Sequence, residues 1–383
     1  MFDIEREIQE TRARLCLDCG KCTVVCPVAQ CDPDFNPRLI VQRRLGHSAA
    51  LPDETIWSCL SCYMCVERCN YRVAFPEFIS ALRWEARTQG YQVKCSHGGA
   101  LQALMHMMAR DGLQQDRLGW LPADIELSPD CDTVYFVGCA PYFDVVFSDL
   151  GVSSLEAVIG ALKLLNRAAV PFKLMENERC CGHDLLLQGD RDGFRALARA
   201  NMEEFARHGV KKIITACPEG YHTLRVDYPK LLGDTGIEVL HLTEVLAPLV
   251  GNGLELGKLE KRVTYHDSCK LGRCSGLYDE PRGLLKAVEG LDLVEMEQAR
   301  DKSLCCGGSP WANCGLVNRQ VQEWLLGQAE ATGADLLVTG CPKCKIHLRC
   351  AQKIGDGKVP QIEIQDMATL LAQSLGAGGK VDG

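Results

Sequence analysis

"ACPEGYHTLR", residues 216–225, and "GCPKCKIHLR", residues 340–349, align without a gap. Cys217 falls on Cys341, Pro218 on Pro342, Leu224 on Leu348 and Arg225 on Arg349, but Gly220 stands where the second stretch has Cys344. Working outward, the correspondence extends over the last two-thirds of the chain. "DTVYFVGC" ends at Cys139 and "KRVTYHDSC" at Cys269; "ERCCG" carries Cys180 and Cys181, and "SLCCGG" carries Cys305 and Cys306. "KKIITACP" and "ADLLVTGCP" each run from an apolar stretch into a cysteine turn, and "LTEVLAPLV" and "MATLLAQSL" close the copies as apolar helices. The spacing between copies is 124 positions from Cys217 to Cys341 and 130 from Cys139 to Cys269. That is a duplicated domain, not a short solenoid repeat. Alternating strands and helices predict an α/β unit with a largely parallel sheet in each copy, its cysteines at the strand ends where such sheets place ligands.

Ahead of the duplication, "CLDCGKCTVVCP" sets Cys16, Cys19, Cys22 and Cys26 at C-x2-C-x2-C-x3-C-P, and "CLSCYMCVERCN" repeats the spacing with Cys59, Cys62, Cys65 and Cys69. This is the two-cluster ferredoxin pattern, in which the fourth cysteine of each run serves the other cluster. The expected [4Fe–4S] cubanes are therefore Cys16, Cys19, Cys22 with Cys69, and Cys59, Cys62, Cys65 with Cys26. A single zinc site needs four ligands, not two interleaved runs of four. Asn70 departs from the pattern, which has proline there. "NPRLIVQRRLG" and "DETIWSCLSCYMC" read as helices, the latter with an acidic first turn at Asp53 and Glu54, and helical periodicity recurs over residues 77–112.

Composition agrees with an iron–sulfur reading. Of 383 residues, 23 are Cys against 9 Met and 5 Trp, and most cysteines fall in C-x-x-C or Cys-Cys clusters. Without an export signal, a disulfide framework is the poorer explanation, and thiolate ligation in a reducing compartment the better one. A net charge of −8 argues against nucleic acid or an anionic membrane as the main partner. "MFDIEREIQE" does not read as a signal peptide, and no apolar run approaches a membrane span. The expected location is the cytoplasm, with membrane association only through a partner.

The fold class expected is an α-helical two-cluster ferredoxin-type domain followed by two duplicated α/β domains with largely parallel sheets. Its boundaries are 1–95 for the ferredoxin-type domain, 96–131 for a helical linker, 132–255 for the first cysteine-rich copy and 256–383 for the second. The second copy offers five thiolates, one more than a cubane needs. Adjacent Cys305 and Cys306, with α-carbons ~3.8 Å apart, suit neighbouring irons.

The duplicated C…CCG…CPxC signature behind a two-cluster ferredoxin domain resembles the heterodisulfide reductase iron–sulfur family over essentially the whole chain. It is similar also to iron–sulfur subunits of anaerobic glycerol-3-phosphate and lactate dehydrogenases and of class II benzoyl-CoA reductase complexes. The resemblance implies a noncubane [4Fe–4S] cluster at Cys269, Cys305, Cys306, Cys341 and Cys344, catalytic if the chain is catalytic at all. The first set, Cys139, Cys180, Cys181 and Cys217, lacks a fifth thiolate at Gly220. It is left either empty or holding a further cluster, with Glu219, His183 or His222 as substitute ligands or bystanders. Such a site suits an electron relay better than a pair of matched clusters gripping two sulfurs, so the expected function is an electron-transfer subunit of an anaerobic oxidoreductase complex. Disulfide reduction and a dehydrogenase iron–sulfur subunit are the alternatives. With no flavin or nucleotide fingerprint, electrons must come from another subunit: a flavoprotein, a hydrogenase-type subunit or a membrane cytochrome.

Several residues carry open readings. His266 and Asp267 are either partners of a cluster sulfur or a structural pair at a strand end. Lys343 either compensates cluster charge or faces solvent. Met105, Met107, Met108, His97 and His106 read as ordinary packing or surface residues. Cys31, Cys95, Cys131, Cys274, Cys314 and Cys350 lie outside the ligand register and are expected mostly as small buried hydrophobes.

Overall fold

In the computed structural model, residues 3–46, 54–91, 93–308, 310–355 and 357–375 are described. Asp53, read as part of an acidic helix start, lies outside them. The chain divides into two compact units. One comprises Met1–Arg110, Gly182–Leu197 and Leu304–Leu325; the other comprises Asp111–Cys181, Ala198–Ser303 and Leu326–Gly383.

The first unit is helical, as expected, but the stretch read as a helix from Glu54 onward is a 3-10 turn, Glu54–Ser58, followed by non-helical residues 59–63 where the chain brings its cysteines together, and only then the short helix Met64–Glu67. Asp3 caps the helix Ile4–Glu10 by accepting from the amides of Glu5 and Arg6, and Asn36 caps Pro37–Leu45 through the Leu39 amide at 3.2 Å. In the longer helix Phe75–Thr88, Phe75, Phe78, Ile79, Leu82 and Ala86 form one buried stripe at helical spacing. Arg83 is also fully buried, and its guanidinium donates to the carbonyls of Ile56 (3.0 Å), Cys59 (2.9 Å) and Leu187 (2.8 Å). The segment after the first Cys-Cys pair thus packs on this helix. At Gly189, φ is +76° and any Cβ would collide with the backbone of Trp84 and Arg83, so only glycine fits. Of residues 96–131, expected as a helical linker, only the 3-10 turn His97–Gly99 and the α-helix Ala100–Met108 are helical, and turns and irregular backbone follow them.

The second unit holds the sheets of both cysteine-rich copies, while Gly182–Leu197 of the first copy and Leu304–Leu325 of the second belong to the first unit. Strands β1 (Thr133–Tyr135), β2 (Lys212–Thr215) and β3 (Glu238–His241) form one sheet in the order β1-β2-β3. Strands β4 (Lys258–His266), β5 (Glu289–Val294), β6 (Leu336–Thr339) and β7 (Glu363–Asp366) form another in the order β5-β4-β6-β7. Every pairing is parallel. The topologies correspond: β1, β2 and β3 match β4, β6 and β7, and a single parallel bridge from Val134 to Lys173 stands in the place of β5. The sheets are as expected from strand–helix alternation, and their central strands are buried because helices cover them.

The copies share one hydrophobic core. It joins Tyr135, Leu162 and Ile214 of the first to Val263, Tyr265, Leu336 and Leu370 of the second. The helix Ser154–Arg167 lies so close to Met367–Leu375 that a Cβ at Gly160 would stand 2.7 Å from the carbonyl oxygen of Ala368.

Candidate metal centres

In the first unit the eight N-terminal cysteines converge in two groups of four drawn from both runs. Cys16, Cys19, Cys22 and Cys69 line one cavity, with Leu15, Pro37, Val41 and Phe75 as its apolar wall. Cys26, Cys59, Cys62 and Cys65 line another, walled by Val28, Phe35, Leu60 and Met64. Cys65, Pro37 and Phe75 border both cavities, so the two are neighbours. Burial pushes the Cys26 and Cys65 thiols up, and the neighbouring cysteine charges push in the same direction. Ionised together, four such groups in an apolar pocket would need a counter-charge of the kind that bound iron would supply. Arg83 fixes the second group by holding the Cys59 carbonyl; burial draws its own pKa down to about 10. Asn70, where the pattern has proline, accepts from Lys21 at 3.2 Å at the rim of the first cavity.

In the second unit, the first cysteine-rich copy assembles its four thiols. Cys139 and Cys180 stand 3.2 Å apart at Sγ. Cys181 is raised well above its ordinary value by its hydrogen bond to Cys180, by burial, and by the charges of Cys180, Cys139 and Cys217. Three polar groups invisible in the motif hold this set. Glu178, buried with Arg117 at 2.9 Å, accepts from the amides of Val137 (3.0 Å) and Gly138 (2.7 Å) and so ties the Cys139 turn to the Cys180 segment. Burial brings the Glu178 carboxyl up to about 7 despite Arg117. Asn201 accepts from the Arg179 amide (2.8 Å) and donates to the Cys180 carbonyl (3.1 Å), while the Tyr228 hydroxyl donates to the Cys181 carbonyl (3.2 Å).

Cys217 and Cys341 each stand at the start of a helix with proline at its first position, Pro218–His222 and Pro342–Ile354. Gly220 and Cys344 are the third residues of those helices, so the sequence alignment is also a structural one. A Cβ at Gly220 would lie 3.7 Å from Cys217 Cβ and 3.9 Å from its Sγ, ordinary contacts, and the backbone is not in the left-handed region. Glycine is therefore not required there. Cys269, Cys341 and Cys344 lie in the second unit, and Cys305 and Cys306 open the last segment of the first. Cys305, Cys306, Cys341 and Cys344 are buried.

Other open readings resolve. The Asp267 carboxylate is taken up by Arg282 (2.7 and 2.8 Å) and by the Arg300 amide (2.7 Å), a structural pairing. Lys343 does not face solvent: its side chain is buried and its ammonium stands 2.9 Å from Glu219. Burial and the charges of Lys270 and Lys230 take His222 down to about 3 and hold it neutral. Met105 and Met108 are buried packing, whereas Met107 is exposed. The six cysteines outside the register are not buried hydrophobes: Cys95 and Cys314 are exposed and Cys31, Cys131, Cys274 and Cys350 half-buried.

Residues 12–73 match the 4Fe-4S dicluster domain family, and residues 133–225 and 263–349 each match the cysteine-rich domain family. A subunit of the dihydromethanophenazine:CoB–CoM heterodisulfide reductase of Methanosarcina mazei is 30% identical over 94% of this chain and 93% of its own length. The EtfAB:quinone oxidoreductase of Syntrophomonas wolfei is 28% identical over 94% of this chain, which spans 58% of that larger protein. A solved structure of a hypothetical protein from Helicobacter pylori shares the fold, with a TM-score of 0.56 at 10% identity over 91% of this chain and 70% of that one. Fold and cysteine sets together define an iron–sulfur protein built from a dicluster domain and a duplicated cysteine-rich domain. The chain belongs to the heterodisulfide reductase-like iron–sulfur proteins.

Proposed function

We propose that this chain is the electron-transfer subunit of a multisubunit oxidoreductase. It relays electrons through two [4Fe–4S] cubanes, at Cys16/Cys19/Cys22/Cys69 and Cys59/Cys62/Cys65/Cys26, to or from a noncubane-type cluster at Cys269, Cys305, Cys306, Cys341 and Cys344. The observation that carries the reading is the pair of adjoining cavities, one lined by Cys16, Cys19, Cys22 and Cys69, the other by Cys26, Cys59 and Cys62, with Cys65, Pro37 and Phe75 bordering both. Iron–sulfur clusters supply one-electron oxidation and reduction without proton or hydride transfer. The chain's residues hold them, keep water out and fix their spacing. Redox partners are other subunits, a flavoprotein, hydrogenase-type or membrane cytochrome subunit, in a hetero-oligomer. Among the described residues no helix is long and apolar enough to cross a membrane, and membrane association through such a partner is part of this proposal. Cytoplasmic placement belongs to the same proposal.

Redox titration of the anaerobically purified chain, followed by electron paramagnetic resonance, tests this. Cys22→Ser and Cys62→Ser should each remove one cubane signal and interrupt electron flow. Retention of both signals in either variant contradicts the ligand sets. A second reading, disulfide reduction at the five-cysteine set, is favoured by the completeness of that set and by the reductase relative. A new paramagnetic species on adding a disulfide to the reduced protein, whose clusters supply the electrons that cleave it, supports it over the pure relay.

A further inference from the structure

Glu219 and Lys343 occupy the same register position in the two copies, one residue before Gly220 and Cys344 respectively. Their side chains meet at 2.9 Å, with 19% and 5% of their surfaces exposed. Equivalent positions of the two copies therefore meet here, and Cys217 and Cys341, which are also equivalent, each open the turn that carries one member of the pair.

The pair is chemically unequal. The cation springs from the Cys341-Pro342-Lys343-Cys344 turn, which has both its thiols, and the anion from the Cys217-Pro218-Glu219-Gly220 turn, which lacks one. An ion pair this well buried is weakly screened, so each member acts on nearby charge as a fixed element.

Resting on the ligand reading above, we propose that Lys343 is a fixed cation that raises the reduction potential of the centre held by Cys341 and Cys344. Glu219, its partner in the ion pair, opposes it and sets the size of the effect. Reduction adds one negative charge to a thiolate-bound cluster, which a neighbouring cation favours and a neighbouring carboxylate disfavours.

The test is a set of potentials measured by spectroscopic redox titration of the full-length, iron-loaded chain. Lys343→Met should shift that centre to lower potential and Glu219→Gln to higher. Lys343→Arg should stay near wild type, and the Lys343→Met/Glu219→Gln double variant should return towards it. A purely structural ion pair would move both single variants in the same direction, or neither, and either result overturns the proposal. Each single variant leaves an unpaired buried charge. If one fails to load iron, the uncharged double variant carries the test, with a potential far from wild type as the contrary result. Cys344→Ser separates the two levels. Loss of the centre's signal there, together with unmoved potentials in the charge variants, sinks the inference alone, whereas an unchanged signal sinks the ligand reading beneath it.

Discussion

Gly220 is the residue on which the asymmetry of the molecule turns. It sits in the third position of a helix that, in the other copy, presents Cys344, and its backbone demands nothing special of it. The loss of the thiol is thus chemical rather than conformational. Gly220→Cys should be accepted at no backbone strain, and helix propensity favours cysteine over glycine there by a few tenths of a kcal/mol. In anaerobically purified protein the variant should gain iron or change its cluster spectrum relative to wild type. Unchanged iron and spectrum would mean that a fifth thiol alone does not complete the first site. Around it, the structure adds what no motif could: Glu178 with Arg117, Asn201 and Tyr228 draw on distant parts of the chain to hold the carbonyls, amides and turns of the cysteines.

At the scale of elements, one design is used twice. A buried strand ends in a threonine, Thr215 or Thr339, and the next residues turn into a helix that starts at a cysteine. The adjacent strand ends in a polar residue that caps the closing helix: His241 in the first copy, Asp366 in the second. Asp366 accepts from the Ala368 amide at 2.8 Å. His241 accepts at Nδ1 from the Thr243 amide at 3.3 Å, and its Nε2 stands 3.1 Å from the carbonyl of Ala216, beside Cys217. Those contacts require the neutral ring with its proton on Nε2, and burial accordingly brings its pKa down to about 4 from 6.5. The folded-state pKa is depressed, so the stabilisation is complete above about pH 6.5 and is lost progressively as pH falls from there to about 4. On the linkage relation it amounts to roughly 3 kcal/mol. His241→Asn keeps a cap acceptor and removes the titration, so between pH 7 and pH 5 it should lose less stability than wild type in denaturant unfolding. Equal losses would show that another group governs acid sensitivity.

On the scale of the whole molecule, sequence and structure agree where the signal is local and part where it is long-range. The strands running into cysteine turns, the parallel sheets and the helices at Pro37–Leu45 and Phe75–Thr88 were all legible, because periodicity and turn chemistry act within a few residues. The spacing leads to the expectation that the cysteine runs interleave, and each of the two cavities is lined by cysteines of both runs. Sequence did not reveal that both copies share one core, or that the segments after each Cys-Cys pair join the N-terminal helices. Those facts depend on Gly160 and Gly189, which read in the sequence as ordinary glycines, and on Arg83, an arginine in a helix that gives no hint of burial. The register-matched Glu219–Lys343 pair was hidden for the same reason: alignment equates the two positions but says nothing of their meeting.

The central claim is that two cubanes serve one complete cysteine-rich site and that the duplicated site is unlike it. Mössbauer and electron paramagnetic resonance spectra of the anaerobically purified wild-type chain, with total iron measured on the same sample, test it directly. The account predicts two ordinary [4Fe–4S] centres and a single noncubane-type centre. Iron should be about 12 per chain if the first site is empty, and up to about 16 if its four thiolates hold a four-iron cluster of a different kind. Two spectroscopically equivalent noncubane centres would contradict it.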